Sequence, residues 1–101
     1  MLPSAFVYIL TNIHNTVLYV GVTNDLRTRV WEHKRKQNSK SFTAKYNIYK
    51  LVYFETFESI IEAITREHYI KGKTRKWKEV LINKTNAEWK DLTDEIMEKY
   101  R

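Results

Sequence analysis

Apolar residues fall into short runs along the chain, and their spacing predicts its elements. "AFVYIL" (5–10), rich in β-branched and aromatic residues, predicts a strand. A polar loop, "TNIHNT" (11–16), leads to "VLYVGV" (17–22), a second strand, so the pair predicts a hairpin. Asn24 can cap a helix running to about Gln37. "NSKSFTAKYN" (38–47) reads as a polar, basic, partly helical connection, and "IYKLVYFETF" (48–57) as a third strand. Three helices follow. "SIIEAITREHYIK" (59–71) starts at a Ser59 cap and stops at Gly72. "TRKWKEVLINK" (74–84) is the second, and "NAEWKDLTDEIMEKY" (86–100), capped by Asn86, the third. The order ββαβααα predicts an α+β fold, a small sheet covered by helices. At 101 residues, with two glycines and one proline, the chain reads as one domain of regular elements and short connections.

Several polar residues break this pattern. At roughly 100° per residue, Ile60, Ile61, Ala63, Ile64 and Ile70 form one apolar stripe, and Glu67 falls near its middle. An unpaired buried carboxylate costs about several kcal/mol, so it needs compensation. A salt bridge to an arginine on a neighbouring element supplies one answer; a metal or a catalytic role supplies another. In the helix after Asn24, His33 continues the stripe of Leu26 and Val30, with Arg29 four residues before it on the same edge. A histidine there is either a satisfied core residue or a chemical one. In the hairpin, period two puts Phe6, Tyr8 and Leu10 on one face of the first strand. Val17, Tyr19 and Gly21 share a face of the second, which can bring the two tyrosines together. Tyrosines are also simply good strand formers. Gly21, near a strand end, predicts a close backbone approach or a bulge.

Charge changes the picture next. The chain carries a net charge of +6, unevenly placed. Residues 24–50 contribute +6 and residues 66–84 contribute +5, whereas 51–65 and 85–101 contribute −3 and −2. Trp31, Phe42, Tyr46, Tyr49, Tyr69 and Trp77 are interspersed in the basic blocks. Such blocks predict a polyanion-binding surface. Its candidate residues are Arg27, Lys34, Arg35, Lys36, Lys40, Lys45, Lys73, Arg75 and Lys76. Cysteine is absent, which fits a reducing compartment. No apolar run approaches the ~20 residues of a membrane span. The opening "MLPSAFVYIL" lacks the basic start of a secretion signal, so the expected location is cytoplasmic.

Two phenols, an arginine, a histidine and a glutamate on a buried face make up the inventory of a phosphodiesterase. A carboxylate holds a divalent metal, an arginine balances phosphate charge, and a phenol or imidazole activates water. At these residues the chain resembles a GIY-YIG nuclease domain. The first signature tripeptide stands as Val7-Tyr8-Ile9, with valine in place of its initial glycine, and the second as Tyr19-Val20-Gly21. Leu26, Arg29 and His33 follow in an L-x-x-R-x-x-x-H run. Glu67 matches the family's metal-binding glutamate, and Asn83 is a match for a polar asparagine that some members use after the glutamate helix. Where some relatives carry a lysine after the second tripeptide, this chain has Val22.

The resemblance covers roughly residues 4–84, and the tail "NAEWKDL" is similar to that of the short stand-alone UPF0213 members. It implies a three-stranded, mainly antiparallel sheet flanked by helices, with a nuclease domain over 1–84 and a C-terminal helical extension of the same domain over 85–101. It further implies Mg²⁺- or Mn²⁺-dependent cleavage of DNA in repair or recombination, RNA being the other possible substrate. Tyr19 would activate water, Tyr8 would support it, Arg29 would stabilise the charged phosphate, and His33 would position groups or serve as an alternative base. Glu67 would hold the metal. A binding module of the same fold that does not cut is the alternative. Without a separate recognition domain in this sequence, the basic blocks or a protein partner would select the substrate.

Overall fold

The structure, a computed structural model, describes residues 3–35 and 41–100. Strands β1 (Ala5–Thr11), β2 (Leu18–Thr23) and β3 (Lys50–Phe57) form one antiparallel sheet in the order β2-β1-β3. The central β1 is buried along its whole length. Helices cover both faces, which is why "AFVYIL" reads as a continuous apolar run rather than an alternating one. On one face, Ala5, Val7 and Ile9 pack with Val20 and Val52 against helix α3 (Ile60–Lys71) and helix α4 (Arg75–Thr85), through Ala63, Ile70 and Ile82. On the other, Phe6, Tyr8 and Leu10 pack against helix α1 (Leu26–Lys34) and helix α5 (Thr93–Lys99), through Leu26, Val30 and Ile96. Helix α2 (Phe42–Lys45) adds one turn between α1 and β3, so the expected ββαβααα order holds with that short insertion.

Four local expectations change. Asp25, not Asn24, caps α1, because its carboxylate accepts from the Thr28 amide at 3.2 Å and the Thr28 hydroxyl at 2.7 Å. Helix α1 ends at Lys34 rather than near Gln37. The helix expected over 86–100 is only Thr93–Lys99. Asn86 instead ends α4, and its buried amide Nδ2 donates to the Val52 and Lys90 carbonyls at 3.0 and 2.8 Å while its Oδ1 accepts from the Lys90 amide. A side chain that satisfies three backbone groups in a loop cannot also start a helix. On α3, the buried face is Ala63, Glu67 and Ile70, whereas Ile60, Ile61 and Ile64 are exposed. Roughly 100° of rotation per residue carries Ile61 to the far side of the helix from Ala63. Glu67 therefore sits in the middle of a narrower stripe than the isoleucines predict.

The segment before α5 is fastened by Asp91. Its carboxylate accepts from the Lys34 ammonium at 2.7 Å, the Leu51 amide at 3.3 Å and the Thr93 amide at 3.0 Å. Burial pushes this carboxyl up, but the bonds from Lys34 and Thr93 outweigh it and hold the pKa below the usual value. Tyr100 closes the same end, edge-on to Phe6 and Phe54 at centroid distances of 5.3 and 6.3 Å.

Candidate active site

β1 contributes Tyr8 and β2 contributes Tyr19. In the hairpin register Tyr8 faces Gly21 and Tyr19 faces Leu10, so the two tyrosines are diagonal neighbours on one face. Their ring centroids are 6.3 Å apart. α1 brings His33 over both, at 6.1 Å from the Tyr8 ring and 5.8 Å from the Tyr19 ring. The three rings thus form a triangle at the edge of the helix-α1 face. Gly21 makes this possible. A Cβ there would lie 2.4 Å from Cζ of Tyr8, so the ring occupies the space a side chain would fill. The expected close backbone approach is therefore real, and no bulge falls at Gly21. The sheet's register shift lies instead between Ile9 and Leu10 against β3.

The two phenols differ. Tyr8 is 2% exposed, and its hydroxyl lies 3.5 Å from His33 Nε2. Burial pushes its pKa well above the ordinary value; the Tyr19 phenol and the Glu67 carboxylate push the same way, and the Arg29 guanidinium pulls it down. Tyr8 is therefore a protonated donor at neutral pH. Tyr19 is only half-buried and is the phenol open to a ligand. His33 is half-buried, and its Nδ1 lies 2.7 Å from the Thr43 hydroxyl on α2. Burial, and then Arg29, lower its pKa, so the imidazole is neutral at pH 7.

A histidine whose folded pKa is depressed binds its proton more readily in the unfolded chain. Stability is then level above the ordinary value of 6.5 and falls as pH drops below it. Denaturant midpoints at pH 7.5 and 5.5 are expected to show this loss, and His33→Asn to reduce it. An equal slope in the variant would contradict the assignment.

Glu67 is 7% exposed on α3, which packs on both β1 and β2. Among the described residues its charged neighbours, Lys71 and His68, lie on its own helix. Its Oε2 lies 3.0 Å from the Lys71 ammonium one turn on, and its buried Oε1, which accepts no hydrogen bond among the described residues, lies 3.6 Å from His68 Nε2. The arginine–glutamate pair of this region is elsewhere: Arg66 bonds Glu55 through two nitrogens at 2.9 and 2.8 Å, and Tyr53 donates to the same carboxylate. Arg29 is exposed, with Nε 3.7 Å from Glu32.

The nine basic candidates fare unequally. Lys36 and Lys40 lie outside the described residues. Arg75 does not face a ligand freely, since it donates to the Thr16 and Asn15 carbonyls at 2.8 and 2.6 Å and to Glu79 at 3.0 Å. It pins the β1–β2 loop to α4. Lys34 is paired with Asp91. Arg35 lies over the Trp31 ring, Lys45 over Tyr46, and Lys73 over Tyr69 and Trp77. Arg27 is half-buried on α1, and its Nε has no hydrogen-bond partner. Lys76 is exposed on α4. Asn83 also departs from expectation: its carbonyl accepts from the Trp89 indole at 2.6 Å, which makes it a brace for the loop after α4. Thr43, the partner of His33, was hidden in a stretch that reads as a connection. Its signal is Ser41, whose hydroxyl caps α2 by accepting from the Ala44 amide.

The GIY-YIG catalytic domain matches residues 4–80. The chain belongs to the GIY-YIG family. This GIY-YIG chain is 40% identical over 91 residues to the UPF0213 protein CPE1444 of Clostridium perfringens, which covers 90% of the chain and 96% of that protein. It is 36% identical over 78 residues to a UPF0213 protein of Limosilactobacillus reuteri, covering 76% of the chain and 80% of the relative. The solution NMR structure of the UPF0213 protein BH0048 from Bacillus halodurans superposes with a TM-score of 0.55 at 27% identity, covering 89% of this chain and 94% of that one. The expected family and fold, a three-stranded antiparallel sheet flanked by helices, both hold. No helix among the described residues is long and apolar enough to cross a membrane.

Proposed function

We propose that this chain is a divalent-metal-dependent endonuclease that hydrolyses phosphodiester bonds of DNA, or of RNA, in the cleft formed by Tyr8, Tyr19 and His33. The observation that carries this reading is the triangle of the Tyr8, Tyr19 and His33 rings, with Arg29 one turn before His33 on α1 and a buried carboxylate, Glu67, on α3, which packs on the same two strands. Tyr19, the accessible phenol, is the group that activates water, and Tyr8 and His33 support it. Arg29, exposed beside the rings, faces the charge that develops on the phosphate.

Glu67 is the residue that would hold the metal. Among the described residues no group of three or more His, Cys, Asp or Glu side chains is placed to do so. One carboxylate is nonetheless a fitting donor set for Mg²⁺, which is commonly held by one or two carboxylates with waters and phosphate oxygens. The buried Oε1, which accepts no hydrogen bond among the described residues, is the donor such an ion needs. When bound, the cation supplies positive charge opposite the phosphate oxygens. Lys36, Lys40 and Lys76 complete the proposed nucleic-acid surface with Arg27, Arg35, Lys45 and Lys73. A protein partner would add substrate selectivity. We place the activity in the cytoplasm, in the processing of repair or recombination intermediates, with residues 85–101 as an extension of the nuclease domain.

One contact favours a second reading, a nucleic-acid-binding module that does not cut. Lys71 already neutralises Glu67 at 3.0 Å, as a cation would. Incubation with Mg²⁺ or Mn²⁺ and labelled duplex, single-stranded, flap, fork and junction DNA decides between them. Cutting by the wild type but not by Glu67→Ala supports the nuclease. Salt-sensitive binding without cutting supports the module. Arg29→Ala is expected to lower turnover about 100-fold and DNA affinity by less than about tenfold, measured by single-turnover kinetics beside a binding titration. Equal losses would make Arg29 a phosphate clamp only.

A further inference from the structure

We propose that Thr43 is a positioning residue: it accepts the Nδ1–H of His33 and so turns the Nε2 lone pair of the imidazole toward the tyrosines. The catalytic half of this inference rests on the hydrolytic reading above; the hydrogen-bond half stands without it. Two independent parts of the geometry carry it.

The first is the closeness and enclosure of the contact. His33 Nδ1 and Thr43 Oγ1 are 2.7 Å apart, against 3.5 Å for Nε2 and the Tyr8 hydroxyl. Thr43 is 4% exposed, so the imidazole rather than bulk water meets its hydroxyl. Its backbone is also fixed, since the Thr43 carbonyl accepts from the Ile48 amide at 2.8 Å. A four-residue helix has little stability of its own. α2 is held by this bond and by the Ser41 cap, and it presents one hydroxyl to the ring.

The second is a count of protons. The Tyr8 hydroxyl is buried and carries its proton, which needs an acceptor. Its hydrogen-bond partner is Nε2, so Nε2 bears the lone pair. A neutral imidazole then carries its proton on Nδ1, and the neighbour of Nδ1 is the Thr43 oxygen. The Thr43 proton is left to donate to Ser41 Oγ at 3.3 Å. The Tyr8, His33 and Thr43 protons then each have one acceptor. The opposite tautomer puts two protons between Nε2 and Tyr8 and leaves the phenol proton unpaired in a buried place. His33 is thereby set to receive a proton on Nε2, becoming an imidazolium whose Nδ1–H still bonds Thr43.

Long-range ¹H–¹⁵N NMR of the imidazoles in the wild type, Thr43→Val and Thr43→Ser tests this directly. The wild type is expected to hold His33 with the proton on Nδ1. Thr43→Val, of similar volume but without the acceptor, is expected to shift His33 toward the Nε2–H form, and Thr43→Ser to restore the wild-type signature. Turnover on the best-cut DNA is expected to fall about 10- to 100-fold in Thr43→Val, with KM little changed and Thr43→Ser within a few-fold of wild type. A wild-type His33 protonated on Nε2 overturns the proposal without reference to any variant, so poor folding of Thr43→Val cannot shield it. Failure of serine to restore the signature also overturns it. A tautomer that moves as expected in a protein that cuts no substrate overturns the catalytic half and the nuclease reading, and leaves the hydrogen bond as structure.

Discussion

Glu67→Ala is expected to lower cleavage by about 1,000-fold or more while leaving the fold intact. A cation opposite the phosphate is worth about several kcal/mol in the transition state, and each 1.36 kcal/mol is about tenfold in rate. The loss of stability should be small, for a reason visible in the structure. Glu67 is buried with one oxygen that accepts no hydrogen bond, and its neighbours Lys71 and His68 are themselves exposed. A buried charge satisfied on one side only is a weak contributor to stability, and removing it leaves Lys71 free to be solvated. Single-turnover cleavage beside a thermal melt by circular dichroism measures both quantities. Wild-type rates in the variant would remove Glu67 from the chemistry; a collapsed melt would make it a structural residue.

Gly21→Ala is expected to damage both fold and activity although it adds one methyl group. The new Cβ would meet Cζ, Oη and Cε1 of Tyr8 at 2.4, 2.5 and 2.9 Å. In many sites a side chain so met would swing away. Tyr8 cannot, because it is 2% exposed and packed among Leu10, Leu26 and Val30. Overpacking of this kind costs about 1–3 kcal/mol. The strain is relieved by moving the ring, and the ring's hydroxyl is the group that faces His33. A displacement of about 1 Å in a catalytic group can cost about 100-fold in rate. Urea unfolding midpoints and turnover numbers, taken together, check the prediction. A variant that is destabilised yet fully active would separate the ring's packing from any role in catalysis.

The elements were legible where one physical signal dominated. The three strands follow from β-branched and aromatic runs, and α3 from a Ser59 cap and a Gly72 stop that both stand as expected. Glu67 was legible as an anomaly because a carboxylate between Ala63 and Ile70 needs a compensating charge, whether an ion pair or a metal. The misreadings share a cause: a side chain that bonds backbone far along the chain looks, in sequence, like a local cap or a free surface group. Asn86 has the residue type of an N-cap but braces β3, 34 residues away. Arg75 has the setting of a phosphate ligand but serves carbonyls 59 and 60 residues earlier. Ile60, Ile61 and Ile64 show the converse, apolar residues that suggested burial but lie off the narrow buried face of Ala63, Glu67 and Ile70. Thr43, a sixth residue beside the five read from the sequence, needed the fold itself to bring it within 2.7 Å of His33.

The Asp91 carboxylate has a consequence for motion. It ties the end of α1, the start of β3 and the first turn of α5 to one side chain. Lys34, its partner on α1, is the residue directly after His33. Ile96 and Tyr100 seal the same junction from below. Segments fastened this way open as one cooperative unit. Loss of that one carboxylate would free the last turn of α1, the start of β3 and the start of α5 together. The height of the imidazole above the tyrosines thus depends in part on the short loop that precedes the last helix.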